Sequence, residues 1–321
     1  METNSFWINS LTNKQLELIL LITEQCNFRC TYCYEDFKLG KMAPYVIEGV
    51  KNVIKKRIAG LDILSLSFFG GEPLLNKENV LELSQWAADI CKEHDVKYLC
   101  DMTTNGYMLN EIVFEKLIQS GVMSYQITLD GEKQSHNEFR HTLKGEPTFD
   151  RIYSNIIMMA NTKHNFYCTI RFNIADSNFN SVKSFINNYS SPFANDKRFS
   201  IHFHPIFGNS EFKLTNEDKL QELKKLAQIK GFKNDIPYKN SSCYASNANS
   251  FVIRADGRIQ KCTVSLESDI NNIGKIQKDG SMCINEEKFK KWIFAYDKGC
   301  PSSFLTNEKQ NTPTGPAGKS Q

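Results

Sequence analysis

Apolar runs followed by polar turns and amphipathic stretches recur along the first two-thirds of the chain. The run LELILLI at 16–22 predicts a buried strand, and the apolar residues of 44–58 recur at helical spacing. The other predicted strands are 64–69, 97–102, 124–129, 166–174 and 199–206. The other predicted helices are 78–91, 111–119, 149–161, 182–189 and 217–230.

Alternating strands and helices indicate parallel strands joined by crossover helices. This pattern fits a doubly wound sheet as well as a full or partial barrel, and periodicity does not separate them. The polar segments fall after the strands, where parallel α/β folds place their chemistry. We therefore expect an α/β fold with its functional site at the carboxyl ends of the strands.

The pattern changes in the last quarter of the chain. Segments 250–253 and 259–262 flank Asp256-Gly257 and predict a β-hairpin. Segment 286–296 has helical spacing, and the polar composition of 305–321 predicts a disordered tail. The C-terminal part is therefore expected to differ in architecture from the part before it.

Composition narrows the function classes. The chain has 321 residues, of which 40% are hydrophobic and 23% charged, which excludes a mainly disordered chain. Its length suits two domains, or one large barrel with an appendage. The 39 basic and 36 acidic residues nearly balance, so charge gives no general case for a nucleic acid or a membrane surface as partner. No apolar run spans a bilayer and the first residues lack a signal peptide, so we expect a cytoplasmic protein.

Ten cysteines in a chain of this length without a secretion signal indicate metal ligation, reactive thiols or buried apolar thiols rather than disulfides. Cys26, Cys30 and Cys33 follow the first strand with the spacing Cys-x3-Cys-x2-Cys, so one loop can point three sulfurs at one centre. Three thiolates suit an iron–sulfur cluster with one iron left open for a small molecule. A zinc site completed by a distant ligand, or surface thiols, remain alternatives.

Segment 26–33, followed by Tyr34-Glu35, resembles the cluster loop of the radical S-adenosylmethionine (radical SAM) superfamily, in particular of its peptide- and protein-modifying branch. In that superfamily the three cysteines hold a [4Fe–4S] cluster, and SAM binds the fourth iron. The resemblance implies that Cys26, Cys30 and Cys33 are the catalytic cluster ligands. It also implies that Tyr32 lies beside the adenine of SAM.

Two further family motifs follow in the expected order. Gly70-Gly71-Glu72-Pro73 resembles the Gly-Gly-Glu-Pro motif that contacts the amino group of SAM, and glycines there let the backbone approach a ligand closely. Thr104-Asn105-Gly106 resembles the Thr-Asn-Gly segment that follows the third strand. Taken alone, each is an ordinary turn sequence.

The stretch 128–131 (TLDG), followed by His136 and Arg140, resembles the family's Ser-Leu-Asp-Gly…His…Arg motif, and Thr128 retains the hydroxyl of the usual serine. The resemblance implies that Thr128 and Arg140 bind the SAM carboxylate, a task for which a guanidinium fork is well shaped. Arg171 and Asn173 match a pattern on the fifth strand near the ligand. The implied cofactor-binding residues are Tyr32, Gly70, Gly71, Glu72, Asn105, Thr128, Asp130, Arg140 and Arg171.

The C-terminal cysteines resemble part of an auxiliary-cluster domain. Cys243 and Cys262 have the spacing that opens the SPASM extension of peptide-modifying members. Cys300 resembles the start of the later cysteine run, but Ser303 stands at the next cysteine position and no cysteine follows. Two complete auxiliary clusters are thus excluded on the usual plan. One cluster held by Cys243, Cys262 and Cys300 or Cys283 remains open, as does a truncated domain that holds none.

The resemblance implies the superfamily's partial (β/α)6 barrel, with cluster and SAM at the carboxyl ends of the strands. We predict a catalytic barrel at 14–208, a connecting segment at 209–242, a truncated SPASM-like domain at 243–304 and a tail at 305–321.

The implied activity is reductive cleavage of SAM to methionine and a 5′-deoxyadenosyl radical, which takes a hydrogen atom from a peptide or protein. We expect a maturase that forms cross-links or epimers, often on a ribosomally made precursor, with flavodoxin or ferredoxin as electron donor. A sulfatase-maturing enzyme is an alternative, although Thr263 replaces the Asp usual in that subgroup. The rival from a different class is a degenerate, non-catalytic iron–sulfur regulatory protein.

The remaining cysteines and two histidines are weaker candidates. Cys91 lies on an amphipathic stretch, and Cys100 and Cys168 lie in strands, so each is expected to be a small buried hydrophobe. His202 and His204 alternate along one strand and so face the same side. A structural role is favoured for both histidines over a role beside the substrate.

Overall fold

The computed structural model describes residues 10–206, 212–216, 218–234, 243–295 and 300. The strands are β1 (Gln15–Thr23), β2 (Ile63–Gly70), β3 (Lys97–Thr104), β4 (Ser124–Thr128), β5 (Tyr167–Ile174), β6 (Phe199–Pro205), β7 (Lys233–Asn234), β8 (Ser250–Ile253), β9 (Arg258–Gln260), β10 (Gly274–Ile276) and β11 (Met282–Ile284). The helices are α1 (Pro44–Arg57), α2 (Lys77–Glu93), α3 (Glu111–Gln119), α4 (Lys133–Phe139), α5 (Phe149–Asn161), α6 (Phe179–Asn188), α7 (Asp218–Ile229) and α8 (Glu286–Phe294).

One sheet runs through the described residues, and its central part is parallel. The strand order is β11-β10-β9-β8-β1-β2-β3-β4-β5-β6-β7. Neighbouring strands from β1 to β7 pair in parallel. The order never reverses, so the sheet is a barrel type rather than doubly wound. Because β7 and β11 lie at opposite edges of the described sheet, the barrel is partial, as the sequence predicts.

The faces of the sheet follow from the alternation of residues along each strand. In β2, Leu64, Leu66 and Phe68 are fully buried, whereas Ser65 and Ser67 point to the opposite face and are partly exposed. The apolar faces of α1 and α2 pack into the same core as the buried β2 residues. The helices therefore cover one face, and the hydroxyl-bearing face becomes the barrel interior.

The barrel interior is polar from β2 to β6. Cross-strand hydrogen bonds join neighbouring side chains there, including Ser67 Oγ to Asp101 Oδ1 at 2.5 Å and Thr169 Oγ1 to Ser200 Oγ at 3.0 Å. The interior residues, inferred from register and alternation, include Ser65, Ser67, Asp101, Thr103, Gln126, Thr128, Thr169, Arg171, Ser200, His202 and His204.

The C-terminal extension adds strands to this sheet beside β1. Strand β8 pairs in parallel with β1, from Glu17 opposite Ser250 to Leu20 opposite Ile253. Strands β9, β10 and β11 continue the sheet with antiparallel pairing. Gly257 has φ +85°, as the turn of the predicted hairpin requires. The extension therefore lies directly against the strand that precedes the Cys26 loop.

Several elements differ from the predicted ones. Strand β3 runs to Thr104, two residues beyond the predicted strand 97–102, so Thr104 of the Thr-Asn-Gly motif belongs to the strand. Helix α4 is absent from the prediction because it buries only His136 and Phe139 and so has no apolar periodicity. Strands β10 and β11 are too short to produce an alternation signal. The predicted tail at 305–321 lies outside the described residues, as do parts of the segment 209–242.

None of the helices in the described ranges combines the length and the apolar composition that a membrane crossing requires.

Candidate active site

The three clustered cysteines lie in the loop that follows β1. Residues of this loop bond to the segment after α4: Arg29 N donates to His141 O at 3.0 Å, and Thr31 N donates to Phe139 O at 3.0 Å. The Arg29 guanidinium bonds the carbonyls of Cys26 and Phe28 at 2.9 and 2.6 Å. We call residues 24–43 the cysteine loop. It sits at the carboxyl end of β1, where the chemistry of a parallel barrel is expected.

The thiols of Cys26, Cys30 and Cys33 are close enough to influence one another's ionisation. Burial, with a smaller contribution from the neighbouring Glu72, Cys30 and Cys33, raises the pKa of Cys26 to about 12. Loss of solvent around the thiol raises the pKa of Cys33 to about 11, and Cys30 adds to the effect. In the described part of the chain, no three His, Cys, Asp or Glu side chains converge as they would around one metal ion.

The Tyr32 hydroxyl is the centre of a buried polar network. It donates to Asp130 Oδ2, and it accepts from Arg140 Nη1 at 2.8 Å and from Asn173 Nδ2 at 3.0 Å. Asp130 is fully buried and also accepts from Asn173 N at 2.9 Å. Four of the residues singled out by the motifs, from four segments of the chain, therefore meet at one hydroxyl group.

Burial shapes the charges of this network. It raises the pKa of Asp130, although the Arg140 charge opposes the shift. Burial lowers the pKa of Arg140, but Cys30, Tyr32 and Asp130 outweigh that effect and raise it overall. Arg140 Nε is buried and has no hydrogen-bond partner among the described residues. A buried donor without an acceptor is costly, so this group is suited to receive an anionic ligand.

His136 supports the network from behind. Its Nδ1 accepts from Asp130 N at 3.2 Å, so Nε2 carries the proton and faces Thr148 Oγ1 at 3.0 Å. Thr148 Oγ1 in turn donates to Arg140 O at 2.6 Å. Burial holds the pKa of His136 well below its usual range, so the ring is neutral. Thr148 has no sequence signature, because an isolated threonine before a helix is common.

Gly70 and Gly71 pack against the cysteine loop. A Cβ at Gly70 would collide with Thr23 O, and one at Gly71 would collide with Gln25 O. Gly70 also has φ +114°, which glycine adopts at little cost. The backbone that these glycines approach closely is therefore that of residues 23–25.

Glu72 is fully buried, and its carboxylate is hydrogen-bonded by other residues of the chain. Its carboxylate accepts from Thr104 Oγ1 at 2.7 Å, Asn105 N at 2.7 Å and Leu74 N at 3.0 Å. Asn105 Nδ2 then reaches Asn27 Oδ1 in the cysteine loop at 2.8 Å. Glu72 thus links the ends of β2 and β3 to the loop. Burial raises its pKa, although these hydrogen bonds oppose the shift.

Arg171 and Thr128 lie opposite each other on β5 and β4. Arg171 Nε donates to Asn173 Oδ1 at 2.9 Å, and burial lowers the Arg171 pKa. In the next strand, His204 Nδ1 donates to Pro205 O at 2.7 Å, and burial, with Arg171 and His202 nearby, lowers the His204 pKa to about 4. The interior wall beside the Tyr32 network thus combines a partly buried arginine with a neutral imidazole.

Asp101 lies in the barrel interior and belongs to no sequence motif. It lies on β3 opposite Ser67, whose hydroxyl donates to it. Burial raises the pKa of Asp101 to about 6, although the Ser67 hydrogen bond opposes the shift. An isolated Asp within a strand gives no motif, so only the register of β2 and β3 identifies it.

The C-terminal cysteines fall into two groups. Burial raises the pKa of Cys243, and Cys262 and Cys300 are close enough to add to the shift. Cys262 is buried, and its backbone N–H bonds Asn271 Oδ1 at 2.9 Å. Cys283 is exposed on the edge strand β11. Of the two candidate third residues, Cys300 is therefore the one that lies beside Cys243 and Cys262.

Tyr34 and Tyr244 lie between the two cysteine groups. Tyr34 is 54% exposed overall, but loss of solvent around its hydroxyl raises the pKa of that group, and Glu35, Cys33 and Tyr244 are near enough to add to the shift. The Tyr244 hydroxyl lies 2.9 Å from Thr263 Oγ1 and accepts from Thr263 N at 2.9 Å. Tyr34 belongs to the cluster motif, but only the fold brings it beside Tyr244.

The other cysteines are structural, as the sequence predicts. Cys91, Cys100 and Cys168 are 1%, 4% and 1% exposed and belong to the hydrophobic core. Burial raises the pKa of each.

Known proteins resemble this chain in sequence. Residues 20–174 match the family model of the radical SAM superfamily. A GTP 3′,8-cyclase of Clostridium perfringens (strain SM101 / Type A) is 27% identical over 273 residues, covering 76% of this chain and 79% of the relative. A probable GTP 3′,8-cyclase of Sulfurisphaera tokodaii is 23% identical over 310 residues, covering 88% and 90%.

Solved structures share the fold. The chain matches anSMEcpe with bound AdoMet at a TM-score of 0.67 and 20% identity, covering 88% of this chain and 82% of that one. It matches Streptococcus suis SuiB at a TM-score of 0.59 and 15% identity, covering 97% and 72%. Both matches cover more of the chain than the barrel alone, so both extend beyond it.

Proposed function

We propose that this chain, which belongs to the radical SAM superfamily, is an enzyme that modifies a peptide or protein. The superfamily uses a [4Fe–4S] cluster and SAM, and the chain's relatives are enzymes. The observation that carries the proposal is that β1, which leads into Cys26, Cys30 and Cys33, pairs with β8 of the extension that holds Cys243 and Cys262, and that Tyr34 lies near both Cys33 and Tyr244.

We assign the cluster to Cys26, Cys30 and Cys33 and the SAM site to the Tyr32 network. The donor set fits, because three neighbouring thiols suit an iron–sulfur cluster, in which each thiolate binds a different iron. The buried, unpartnered Nε of Arg140 fits a carboxylate ligand. When bound, the cluster and SAM supply a 5′-deoxyadenosyl radical that removes a hydrogen atom from the substrate.

The chain's own residues bind and orient the ligand, and they exclude water from the site. Asp130 and Asn173 fix the Tyr32 hydroxyl, and through it the direction of the Arg140 fork. Phe139 lies beside the Tyr32 ring with centroids 6.3 Å apart, which adds an apolar wall to the polar network. A rigid, largely buried site of this kind holds a ligand in one pose and limits side reactions.

We assign the auxiliary role to Cys243, Cys262 and Cys300 rather than to Cys283. Lys261, which precedes Cys262, is fully buried, and its Nζ donates to the carbonyls of Asn247 and Ser250. Burial lowers the pKa of Lys261 to about 7, and the remaining Lys261 charge opposes the rise that burial causes in the Cys243 pKa. In this proposal the auxiliary cysteines bind a second cluster that contacts the substrate or accepts the product electron.

A peptide is favoured over a nucleotide as substrate. The anSMEcpe and SuiB structures include complexes with peptides, Cp18Cys and the precursor SuiA. The curated relatives named GTP 3′,8-cyclase make a nucleotide the second candidate. A triphosphate needs several available cations, but Arg29, Arg140 and Arg254 beside the cysteine loop already bond carbonyl, hydroxyl or carboxylate groups of the chain.

We further propose that the enzyme works in the cytoplasm and receives electrons from a flavodoxin or ferredoxin. Low-potential electrons and reduced thiols are both available in that compartment.

The test uses the full chain, reconstituted anaerobically with iron and sulfide and incubated with SAM and a reductant. Release of 5′-deoxyadenosine measures SAM cleavage. Parallel incubations contain GTP or the small peptides encoded next to the gene, and mass spectrometry follows each substrate. We expect 5′-deoxyadenosine in all incubations and a mass change in a peptide only.

Consumption of GTP with unchanged peptides would replace the proposed substrate class with the nucleotide. Absence of both a cluster and 5′-deoxyadenosine would refute the enzymatic proposal itself. The Cys30→Ala variant is the negative control, because it lacks one of the three assigned ligands.

A further inference from the structure

A buried ion pair joins the cysteine loop to the C-terminal extension. Glu24 and Arg254 are 0% and 1% exposed, and neither belongs to a motif. Glu24 follows β1 directly and lies two residues before Cys26, whereas Arg254 follows β8. Because β8 pairs with β1, the two side chains leave neighbouring strand ends and meet.

The pair has the geometry of a fork on a carboxylate. Arg254 Nε donates to Glu24 Oε1 at 3.2 Å, and Nη2 donates to Oε2 at 2.5 Å. Ala255 N adds a third bond to Glu24 Oε1 at 3.1 Å. Two parallel bonds from a guanidinium fix orientation as well as distance, which a lysine would not do.

On its other side, Arg254 is held by the extension. Its Nη1 donates to Glu267 Oε1 at 2.6 Å and to Leu266 O at 3.1 Å. The Glu267 side chain is 59% exposed, so this outer bond is the weaker part of the arrangement. The guanidinium thus bridges the cysteine loop and the segment that follows Cys262.

The far end of the cysteine loop is tied to the same hairpin turn. Ala43 N donates to Ala255 O at 2.9 Å, and the Tyr45 hydroxyl donates to Asp256 O at 2.6 Å. Glu24 N also bonds Gly40 O at 3.1 Å, which closes the loop on itself. The turn 254–257 therefore holds both ends of the segment that carries the three thiols.

We propose that Arg254 is a positioning residue for the cysteine loop, acting through Glu24. Arg254 holds Cys26, Cys30 and Cys33 in the arrangement that receives the cluster. This part of the inference rests on the proposed function. The extension then has a role in the cysteine loop that is separate from any metal bound by its own cysteines. That role gives β8 and its turn a function in the enzyme that does not depend on an auxiliary cluster.

The test measures thiol accessibility in the full, reduced, metal-free chain, so it does not depend on activity. Pulsed alkylation with iodoacetamide, followed by peptide mass spectrometry, gives the rate for each cysteine. In Arg254→Met we expect Cys26 and Cys30 to react about tenfold faster than in the wild type, because Glu24 loses its partner and the loop opens. The buried core thiols Cys100 and Cys168 should keep their wild-type rates.

Arg198→Met is the matched control. Arg198 also carries several hydrogen bonds, to Asp196 and to the carbonyls of Ala160, Thr162 and His164, but it precedes β6 at the opposite end of the barrel. Its loss should lower the melting temperature while leaving the Cys26 and Cys30 rates within about twofold of the wild type. Unchanged Cys26 and Cys30 rates in Arg254→Met, or an equal rise at Cys100 and Cys168, would overturn the proposal.

Two conservative variants keep the test decisive if Arg254→Met does not fold. Arg254→Lys keeps the charge but loses the fork, and Glu24→Gln keeps the shape but loses the charge, so both should give intermediate alkylation rates at Cys26. Wild-type rates in both would refute the positioning role. After reconstitution, the electron paramagnetic resonance signal of the reduced cluster should change in Arg254→Lys and stay unchanged in Glu267→Gln.

Discussion

The two cysteine groups belong to parts of the chain that share the β1–β8 pairing, but they are built in different ways. Cys26, Cys30 and Cys33 lie in a loop that is bonded to the segment after α4, to the ends of β2 and β3, and to the turn after β8. Cys243, Cys262 and Cys300 lie among short antiparallel strands, and Cys300 is exposed. The first group is thus fixed by many long-range contacts, whereas the second is fixed mainly by local ones.

This difference indicates how the two sites depend on the fold. Substitution of a cysteine in the first group should disrupt SAM cleavage, because those cysteines are the proposed ligands of the catalytic cluster. Substitution of a cysteine in the second group should affect product formation but not SAM cleavage. The predictions below test this contrast, beginning with the largest expected effect.

Cys30→Ala should lower the release of 5′-deoxyadenosine by on the order of 100-fold or more, because the substitution removes a proposed ligand of the catalytic cluster. Iron analysis and chromatographic assay of 5′-deoxyadenosine measure the effect. Cys168→Ala is the matched control, since Cys168 lies in the core of β5 and should leave iron content unchanged. Wild-type iron and SAM cleavage in Cys30→Ala would remove Cys30 from the site.

Cys243→Ala should leave SAM cleavage within about threefold of the wild type but stop formation of modified peptide. Iron content should fall from about eight to about four atoms per chain. Cys283→Ala is the discriminating control, because Cys283 is exposed on β11 and lies outside the proposed auxiliary set. If Cys283→Ala loses iron and Cys243→Ala does not, our assignment of the auxiliary residues is wrong.

Tyr32→Phe should weaken SAM binding by about tenfold, because Asp130, Arg140 and Asn173 lose the hydroxyl that joins them. Isothermal titration or the KM for SAM measures this change. Tyr153→Phe provides the control, since Tyr153 lies on α5 and its hydroxyl donates to Tyr189 O at 2.8 Å rather than to the Tyr32 network. Equal SAM affinities in the wild type and Tyr32→Phe would show that the network does not act on SAM.

Asp101→Asn should stabilise the chain at pH 7.5 by between about 1 and 3 kcal/mol. Burial raises the folded-state pKa of Asp101 from 3.8 to about 6, so the fold favours the protonated form. The contribution of Asp101 to the stability of the wild type is therefore most favourable below the unfolded-state pKa of this carboxyl. That contribution is lost as the pH rises through the folded-state pKa. The neutral amide removes that loss and can still accept the Ser67 hydrogen bond.

Urea denaturation at pH 4 and pH 7.5 measures this effect. The exposed Asp62, which faces Lys14 at 3.9 Å, provides the control, because Asp62→Asn should change stability little at either pH. A wild-type pH dependence that persists in Asp101→Asn would show that another group causes it.

Much of the barrel could be predicted from the pattern of residues alone. The helices Glu111–Gln119 and Phe149–Asn161 begin and end at the predicted residues, because their apolar periodicity and their flanking polar residues agree. Helix α4 escaped prediction because a short polar helix is stabilised by tertiary contacts rather than by periodicity.

The candidate site was predictable only where chemistry forms a local pattern. Cys26, Cys30 and Cys33 share one loop, so their spacing alone pointed to metal chemistry. Asp101, Thr148, Tyr244 and the pair Glu24–Arg254 carry no local pattern, because their partners are distant in sequence.

The sequence by itself determined the alternation of strands and helices, the three-cysteine loop after β1 and the burial of Cys91, Cys100 and Cys168, because each depends on neighbouring residues. The tertiary structure alone decided that β8 joins the sheet beside β1. It also decided that Cys300 rather than Cys283 lies beside Cys243, and that Arg254 reaches Glu24. Such contacts depend on the order and register of strands far apart in the chain, which no local pattern of residues specifies.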